Sequence, residues 1–132
     1  MERDKTRRVL VVEDNPALRK VLVNIVKKLG YQDILEADDG LPAWRHVEQG
    51  GVGLVLADWS MPGMSGLELL NKIRAADAPT CDIPFVMITA LDSKDSIVTA
   101  GAAGVDAYII KPFSVGTISE KIDEALSKRE SA

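Results

Sequence analysis

The chain has 132 residues, 46% hydrophobic and 27% charged, with a net charge of −4. That length supports one domain with a real core, and the acidic balance argues against a nucleic-acid-binding face. No apolar stretch nears the roughly 18 residues that span a bilayer, the N-terminus lacks the apolar segment of a secretory signal, and Cys81 is alone and so forms no internal disulfide.

Apolar runs alternate with helical patterns along the whole chain, which predicts βαβ units and a parallel sheet. The first strand covers about residues 7–12. Asn15 is placed to cap a helix with Pro16 in its first turn. Leu18, Val21, Leu22, Ile25 and Leu29 recur at helical spacing as one apolar stripe, and Gly30 ends it. A second strand is expected over about 32–36, then a helix near 40–49 and a break at Gly50-Gly51. The third strand, Gly53-Leu54-Val55-Leu56-Ala57, ends at Asp58, with Pro62-Gly63 in the loop beyond. Ser65 to Glu68 form a capping box for a third helix that turns Leu67, Leu70, Ile73 and the stem of Arg74 inward. The fourth strand, Phe85 to Ile88, ends at Thr89. An Ala-rich helix over about 93–102 follows, weakened by Gly101 and Gly104. The fifth strand, Ala107 to Ile110, ends at Lys111. A second capping box, Thr117 to Glu120, opens the last helix, with Ile118, Ile122 and Leu126 inward. Lys128 to Ala132 are expected to fray. The expectation is one domain over 1–132, with its core at about 7–127 and no output domain.

The chemistry lies where the strands stop. Glu13 and Asp14 close the first strand, Asp58 the third, Thr89 the fourth and Lys111 the fifth. In a parallel sheet these polar ends share one rim, the edge at which open α/β folds bind ligands. Three carboxylates brought close together resist ionising side by side. Lys111 offers one positive charge and a divalent ion two, which together balance three carboxylates. All-oxygen ligation suits Mg2+ best, or Mn2+. A carboxylate so held, beside a lysine and a hydroxyl, can attack a phosphoryl group as a nucleophile. Taken singly, each residue has a plainer explanation: Asp58 as a turn former, Asp14 as a helix cap, Thr89 and Lys111 as strand ends. His46 reads as solvated, Trp44 and Met87 as packing, and Trp59 as a neighbour of the site that reports on it.

Four motifs in order carry a resemblance: Val11-Val12-Glu13-Asp14-Asn15, Asp58-Trp59-Ser60-Met61-Pro62-Gly63, Thr89-Ala90 and Lys111-Pro112-Phe113. From Asp14 onward they are spaced by 44, 31 and 22 residues. Over nearly its full length the chain resembles the receiver domains of two-component response regulators, of the CheY-like chemotaxis type. That resemblance implies a (βα)5 flavodoxin-like, doubly wound sheet of five parallel strands in the order 2-1-3-4-5, with helices on both faces. It implies Asp58 as phosphoacceptor, Thr89 and Lys111 as phosphoryl-binding groups, and Glu13, Asp14, Asp58 and the Ser60 backbone carbonyl as ligands of Mg2+. Tyr108 matches the aromatic position that switches together with Thr89, and the Lys111-Pro112 bond is expected to be cis.

The resemblance also implies a cytoplasmic monomer phosphorylated by a histidine kinase. Its output is expected from the surface of the fourth helix, fifth strand and fifth helix, toward a flagellar motor switch or a phosphorelay protein. A phosphatase is a further possible partner, whereas nucleic acid and membrane are not expected. Ser60 stands where the best-known chemotaxis regulator has Asn, and Leu91 where it has an acid. Both flank the path of water to an acyl phosphate, so the lifetime of the phosphorylated state is expected to differ. Other functions stay open: a phosphate sink or shuttle, a docking-only pseudo-receiver, or a receiver excised from a longer regulator. A haloacid-dehalogenase-like phosphohydrolase would need an acid where Ser60 stands.

Overall fold

The computed structural model describes residues 4–130. Its elements follow in the order β1 (Arg8–Val12), α1 (Pro16–Lys28), β2 (Ile34–Ala37), α2 (Gly40–Glu48), β3 (Val52–Ala57), α3 (Gly66–Arg74), a 3-10 turn (Thr80–Asp82), β4 (Phe85–Thr89), α4 (Lys94–Ala102), β5 (Ala107–Ile110) and α5 (Val115–Glu130). The five strands pair in parallel in the order β2-β1-β3-β4-β5, as expected. After β2 the chain returns past β1 to build the rest of the sheet. The strand direction of winding therefore reverses between β1 and β3, and a crevice opens there at the C-terminal edge.

Strand alternation sorts the core into two layers. Val9 and Val11 of β1 face one layer, with Leu22, Val23, Ile25 and Val26 of α1 and Ile118, Ile122, Ala125 and Leu126 of α5. Leu10 and Val12 face the other, with Ala43 and Val47 of α2 and Leu69, Leu70 and Ile73 of α3. Both faces of the central strands are buried, which explains their continuous apolar runs. Each fully buried Leu, Ile or Val contributes about 1.5–3 kcal/mol relative to exposure.

Several helix settings differ from the sequence expectation. On α1 the buried arc is Leu22, Val23, Ile25 and Val26, while Val21 is 47% exposed and Leu18 and Leu29 are half-buried. Apolar residues flank the stripe on both sides, and packing against β1 and α5 selects the arc. On α3, Leu69 takes the buried place assigned to Leu67, which is half-buried. The Ser65–Glu68 capping box forms in both directions, at 3.1 and 3.2 Å.

The last helix begins two residues early. Ser114 Oγ accepts from Thr117 N at 3.1 Å, so Ser114 is the cap and Thr117 lies inside the first turn. The second strand starts at Ile34 rather than 32. Lys128 to Glu130 remain helical, and the rest of the expected frayed end lies outside the described residues. The fourth helix is loosely held: Ala100 is its one buried residue among those described.

Candidate functional site

Strand register assembles the rim. Val12 of β1 pairs with Ala57 of β3, so the next residues, Glu13 and Asp58, emerge side by side. The ladder continues one step through Asp58 N to Val12 O at 3.0 Å, Glu13 N to Ala37 O at 3.0 Å and Lys111 N to Thr89 O at 2.8 Å. The polar side chains thus leave from hydrogen-bonded backbone rather than from free loop.

Carboxylate oxygens of Glu13, Asp14 and Asp58 lie within 4.8 Å of one another. Glu13 and Asp58 are buried, whereas Asp14 is exposed, so the trio is closed toward the sheet and open toward solvent. Lys111 Nζ donates to Asp58 Oδ2 at 2.8 Å and to Glu13 Oε1 at 3.2 Å. Asp58 Oδ1 accepts from Ser60 N at 3.2 Å, and Glu13 Oε2 from Asn15 N at 3.1 Å. Asn15 also caps α1 through Leu18 N, as its position suggested.

Two residues that sequence spacing did not single out hold this frame. Arg19 Nη1 donates to Glu13 O at 2.8 Å, while its Nε pairs with Glu36 at 3.1 Å, tying the Glu13-Asp14 turn to α1 and β2. Gly66 lies so close to Asp58 O that a Cβ there would collide with it, and Gly66 N donates to Trp59 O at 2.9 Å. Gly66 is visible in sequence only as the residue after a cap. Its need for close approach belongs to the packing of α3 on the β3 loop.

Charge is unbalanced among the described residues, with three carboxylates facing one ammonium. Burial pushes the Glu13 carboxyl up to about 7, helped by the neighbouring Asp14 carboxyl and the charge of Asp58, and opposed by Asn15 N–H and Lys111. Burial disfavours the Lys111 charge, but Asp58 and Glu13 outweigh it and raise the ammonium pKa. Glu13 therefore holds its proton more tightly in the folded state than in the unfolded chain. Its contribution to stability is largest at low pH and is lost as pH rises toward 7. In the absence of divalent metal, the melting temperature is expected to rise as pH falls from about 8 to about 6, and Glu13→Gln should flatten that slope. Equal slopes in parent and variant by calorimetry would contradict it.

Thr89 is buried at the end of β4, and its Oγ1 accepts from Leu91 N at 3.2 Å. Tyr108 is half-buried on β5, and its phenol donates to Leu91 O at 2.6 Å. Burial, followed by the charge of Asp92, raises the phenol pKa. Trp59 packs edge to face on Tyr108, with ring centroids 6.5 Å apart. Ser60 is exposed in the loop, Leu91 is 36% exposed, and the Lys111-Pro112 bond is cis, as expected. Of the remaining candidates, Met87 is core and His46 is half-buried on α2. Trp44 is half-buried, with Lys72 Nζ 5.0 Å from its ring centre. The structure thus brings Glu13, Asp14, Asp58 and Lys111 together, with Thr89 and Tyr108 linked through Leu91.

The acidic trio fits a hard divalent cation: its donors are all oxygens, and one from each of the three carboxylates converges on a common place.

Comparison with known proteins follows the same lines. Residues 9–123 match the family described as "Response regulator receiver domain". The chain is 39% identical over 125 residues to "Chemotaxis protein CheY-3" of Vibrio cholerae serotype O1, covering 95% of each chain. It is 37% identical over 124 residues to "Chemotaxis protein CheY1" of Helicobacter pylori, covering 93% of this chain and 99% of that one. Its fold superposes with a TM-score of 0.83 on a CheY-like receiver domain protein of Methanospirillum hungatei, at 31% identity, covering 95% of this chain and 97% of the other.

Proposed function

Because the chain belongs to the response regulator receiver family of two-component signalling, we propose that it is a phosphorylation-driven switch with Asp58 as the phosphoacceptor. Receiver domains are phosphoacceptor signalling proteins that bind Mg2+ at an acidic pocket, and they imply a histidine kinase as donor and a downstream target. The observation that carries the assignment to Asp58 is its position: a buried carboxylate bonded to Lys111, central to a trio that opens on solvent through Asp14.

In the proposed reaction an Asp58 carboxylate oxygen attacks the phosphorus of a phosphohistidine. The P–N bond breaks, its electron pair passes to the imidazole nitrogen, and an acyl phosphate remains on Asp58. Glu13, Asp14, Asp58 and the Ser60 carbonyl would hold Mg2+, which when bound supplies positive charge against the transferring phosphoryl oxygens. Lys111 already reaches Asp58 and can follow a phosphoryl oxygen without leaving the site. The Thr89 hydroxyl accepts from Leu91 N, so its own proton is free to donate to another phosphoryl oxygen. Hydrolysis of the acyl phosphate by the domain itself closes the cycle.

The switch would then be read on the α4-β5-α5 surface. Leu91, Ile97, Val98, Ile110 and Val115 are exposed there, a concentration of apolar surface that suits a protein partner. The loose seating of α4 supports a shift between two packings of low energy difference. The relatives' chemotaxis names favour a chemotaxis role, and a motor-switch type of partner and a cytoplasmic monomer over residues 1–132 complete the proposed reading. Among the described residues no helix is long and apolar enough to cross a membrane.

The test is direct. Incubation with acetyl phosphate and Mg2+ should add one phosphoryl group, about 80 Da, to the intact protein, and no mass increase would end the proposal. The phosphate's lifetime is a second expectation. Leu91 presents only alkane to an attacking water, and Ser60 a short hydroxyl. The double change Ser60→Asn, Leu91→Glu adds groups able to hold that water. It should speed phosphate loss by roughly tenfold, below the ~10²–10⁴ of a full general base. An unchanged decay, followed by mass or by radiolabel, would remove both residues as its determinants.

A further inference from the structure

The sequence cast Trp59 as a reporter beside the site, but its contacts reach further than that. Its backbone is pinned, since Trp59 O accepts from Gly66 N at 2.9 Å and a Cβ on Gly66 would press to within 3.1 Å of the Trp59 Cα. From that fixed base the indole meets the Tyr108 ring edge to face, at 6.5 Å between centroids and 80° between planes. Both rings lie against the core layer of α2 and α3. The Tyr108 phenol bonds Leu91 O at 2.6 Å, and Leu91 N bonds the Thr89 hydroxyl at 3.2 Å. One unbroken series of contacts therefore runs from the residue next to Asp58, through a ring pair and the peptide units of Leu91, to a hydroxyl at the end of the neighbouring strand.

We propose that Trp59 is a positioning residue: its indole holds the Tyr108 ring where the phenol reaches Leu91 O, and thereby keeps Leu91 N against the Thr89 hydroxyl and sets how readily that hydroxyl donates its proton to a phosphoryl oxygen. The inference rests on the phosphoacceptor reading of Asp58 and deepens it. Tyr108 is half-exposed, so rotamers that carry its phenol into solvent are open to it. Without the indole, the Leu91 bond alone opposes them. An aromatic pair of this geometry shifts a two-state balance by about two- to tenfold. Trp59 is also anchored to the same loop as Asp58, so movement of that loop reaches Tyr108 through the indole.

The experiment uses the full chain labelled with 3-fluorotyrosine. Tyr108 and Tyr31 are its two tyrosines, and Tyr31, buried at 1% exposure, serves as the internal reference for an intact fold. In 19F spectra recorded without a phosphodonor, Trp59→Ala should move or split the Tyr108 signal while the Tyr31 signal stays. Trp59→Phe, which keeps an aromatic edge, should restore most of the parent spectrum. With acetyl phosphate and Mg2+, Trp59→Ala should change the rate of phosphoryl uptake by about two- to tenfold, and Trp59→Phe by less. A Tyr108 signal unmoved by Trp59→Ala overturns the proposal, as does a moved signal with an unaltered uptake rate. If the parent protein itself takes up no phosphoryl group, the reading of Asp58 fails, and this inference fails with it for that separate reason.

Discussion

Asp58→Asn is expected to abolish phosphoryl uptake altogether. The amide oxygen is a poor nucleophile, and of the two buried carboxylates that touch Lys111, Asp58 has the shorter contact, 2.8 Å against 3.2 Å for Glu13. What sets Glu13 apart is its proton: burial pushes its carboxyl up to about 7, so part of it is protonated at neutral pH. Asp14 is exposed and makes no contact with the lysine among the hydrogen bonds described. Mass analysis after acetyl phosphate and Mg2+ should therefore show the parent gaining about 80 Da and the variant gaining nothing. The fold should not suffer. Removing one of three crowded carboxylates relieves the repulsion that helps raise the Glu13 pKa, so the metal-free variant should melt at or above the parent's temperature near pH 7.5 or so. A phosphorylated Asp58→Asn protein would move the reaction to another side chain. A variant that melts well below the parent would mean that the Lys111 pair outweighs the crowding.

Asp106→Ala is expected to cause a large loss of stability. Asp106 sits at the start of β5, at the end of the sheet opposite the phosphoacceptor rim, and its side chain is wholly buried. Its Oδ2 accepts from Arg74 Nη2 at 2.8 Å and from Phe85 N at 2.9 Å, and its Oδ1 from Arg129 Nε at 2.8 Å. Arg74 goes on to the carbonyls of Gly104, Cys81 and Ile83 at 3.0, 3.0 and 2.7 Å. One carboxylate thus joins the C-terminal ends of α3 and α5 to the beginnings of β4 and β5.

Truncating Asp106 leaves two guanidinium groups facing each other and a buried backbone N–H without an acceptor. Breaking a buried pair in this way costs about 3–5 kcal/mol, on the order of 10 °C in melting temperature for a domain of this size. Arg129→Ala removes one of several partners and should cost only about 1–2 kcal/mol. The folded fraction of either variant should still accept phosphate, because the clamp and the acidic trio lie at opposite sheet edges. Urea unfolding decides it: a loss under about 1 kcal/mol for Asp106→Ala would show the clamp to be idle.

Much of the rim was legible because strand-end chemistry is local. An apolar run that stops at an acid, a threonine or a lysine announces both the strand and the group it presents. Parallel pairing then obliges those ends to share an edge, so Glu13, Asp14, Asp58, Thr89 and Lys111 could be gathered without coordinates. The capping box at Ser65 and the cap at Asn15 were equally readable, since their donors and acceptors lie within three residues of each other.

Other features were set by distant neighbours. Whether Leu67 or Leu69 faces the core, and whether α1 buries Val21 or Val23, depends on the rotation of each helix about its axis. Both choices keep an apolar face, and only the facing strand distinguishes them. Ser114 and Thr117 can each cap a helix, and the folded chain uses the earlier one. The carboxylate of Asp106 finds its arginines across 32 and 23 residues of chain, and Trp59 meets Tyr108 across the sheet. The alternation of apolar runs and their polar endings was enough to prescribe five parallel strands and the polar groups that close them. The pairing of charges and rings far apart along the chain had to await folding, because such contacts leave no periodic trace in the residues between them.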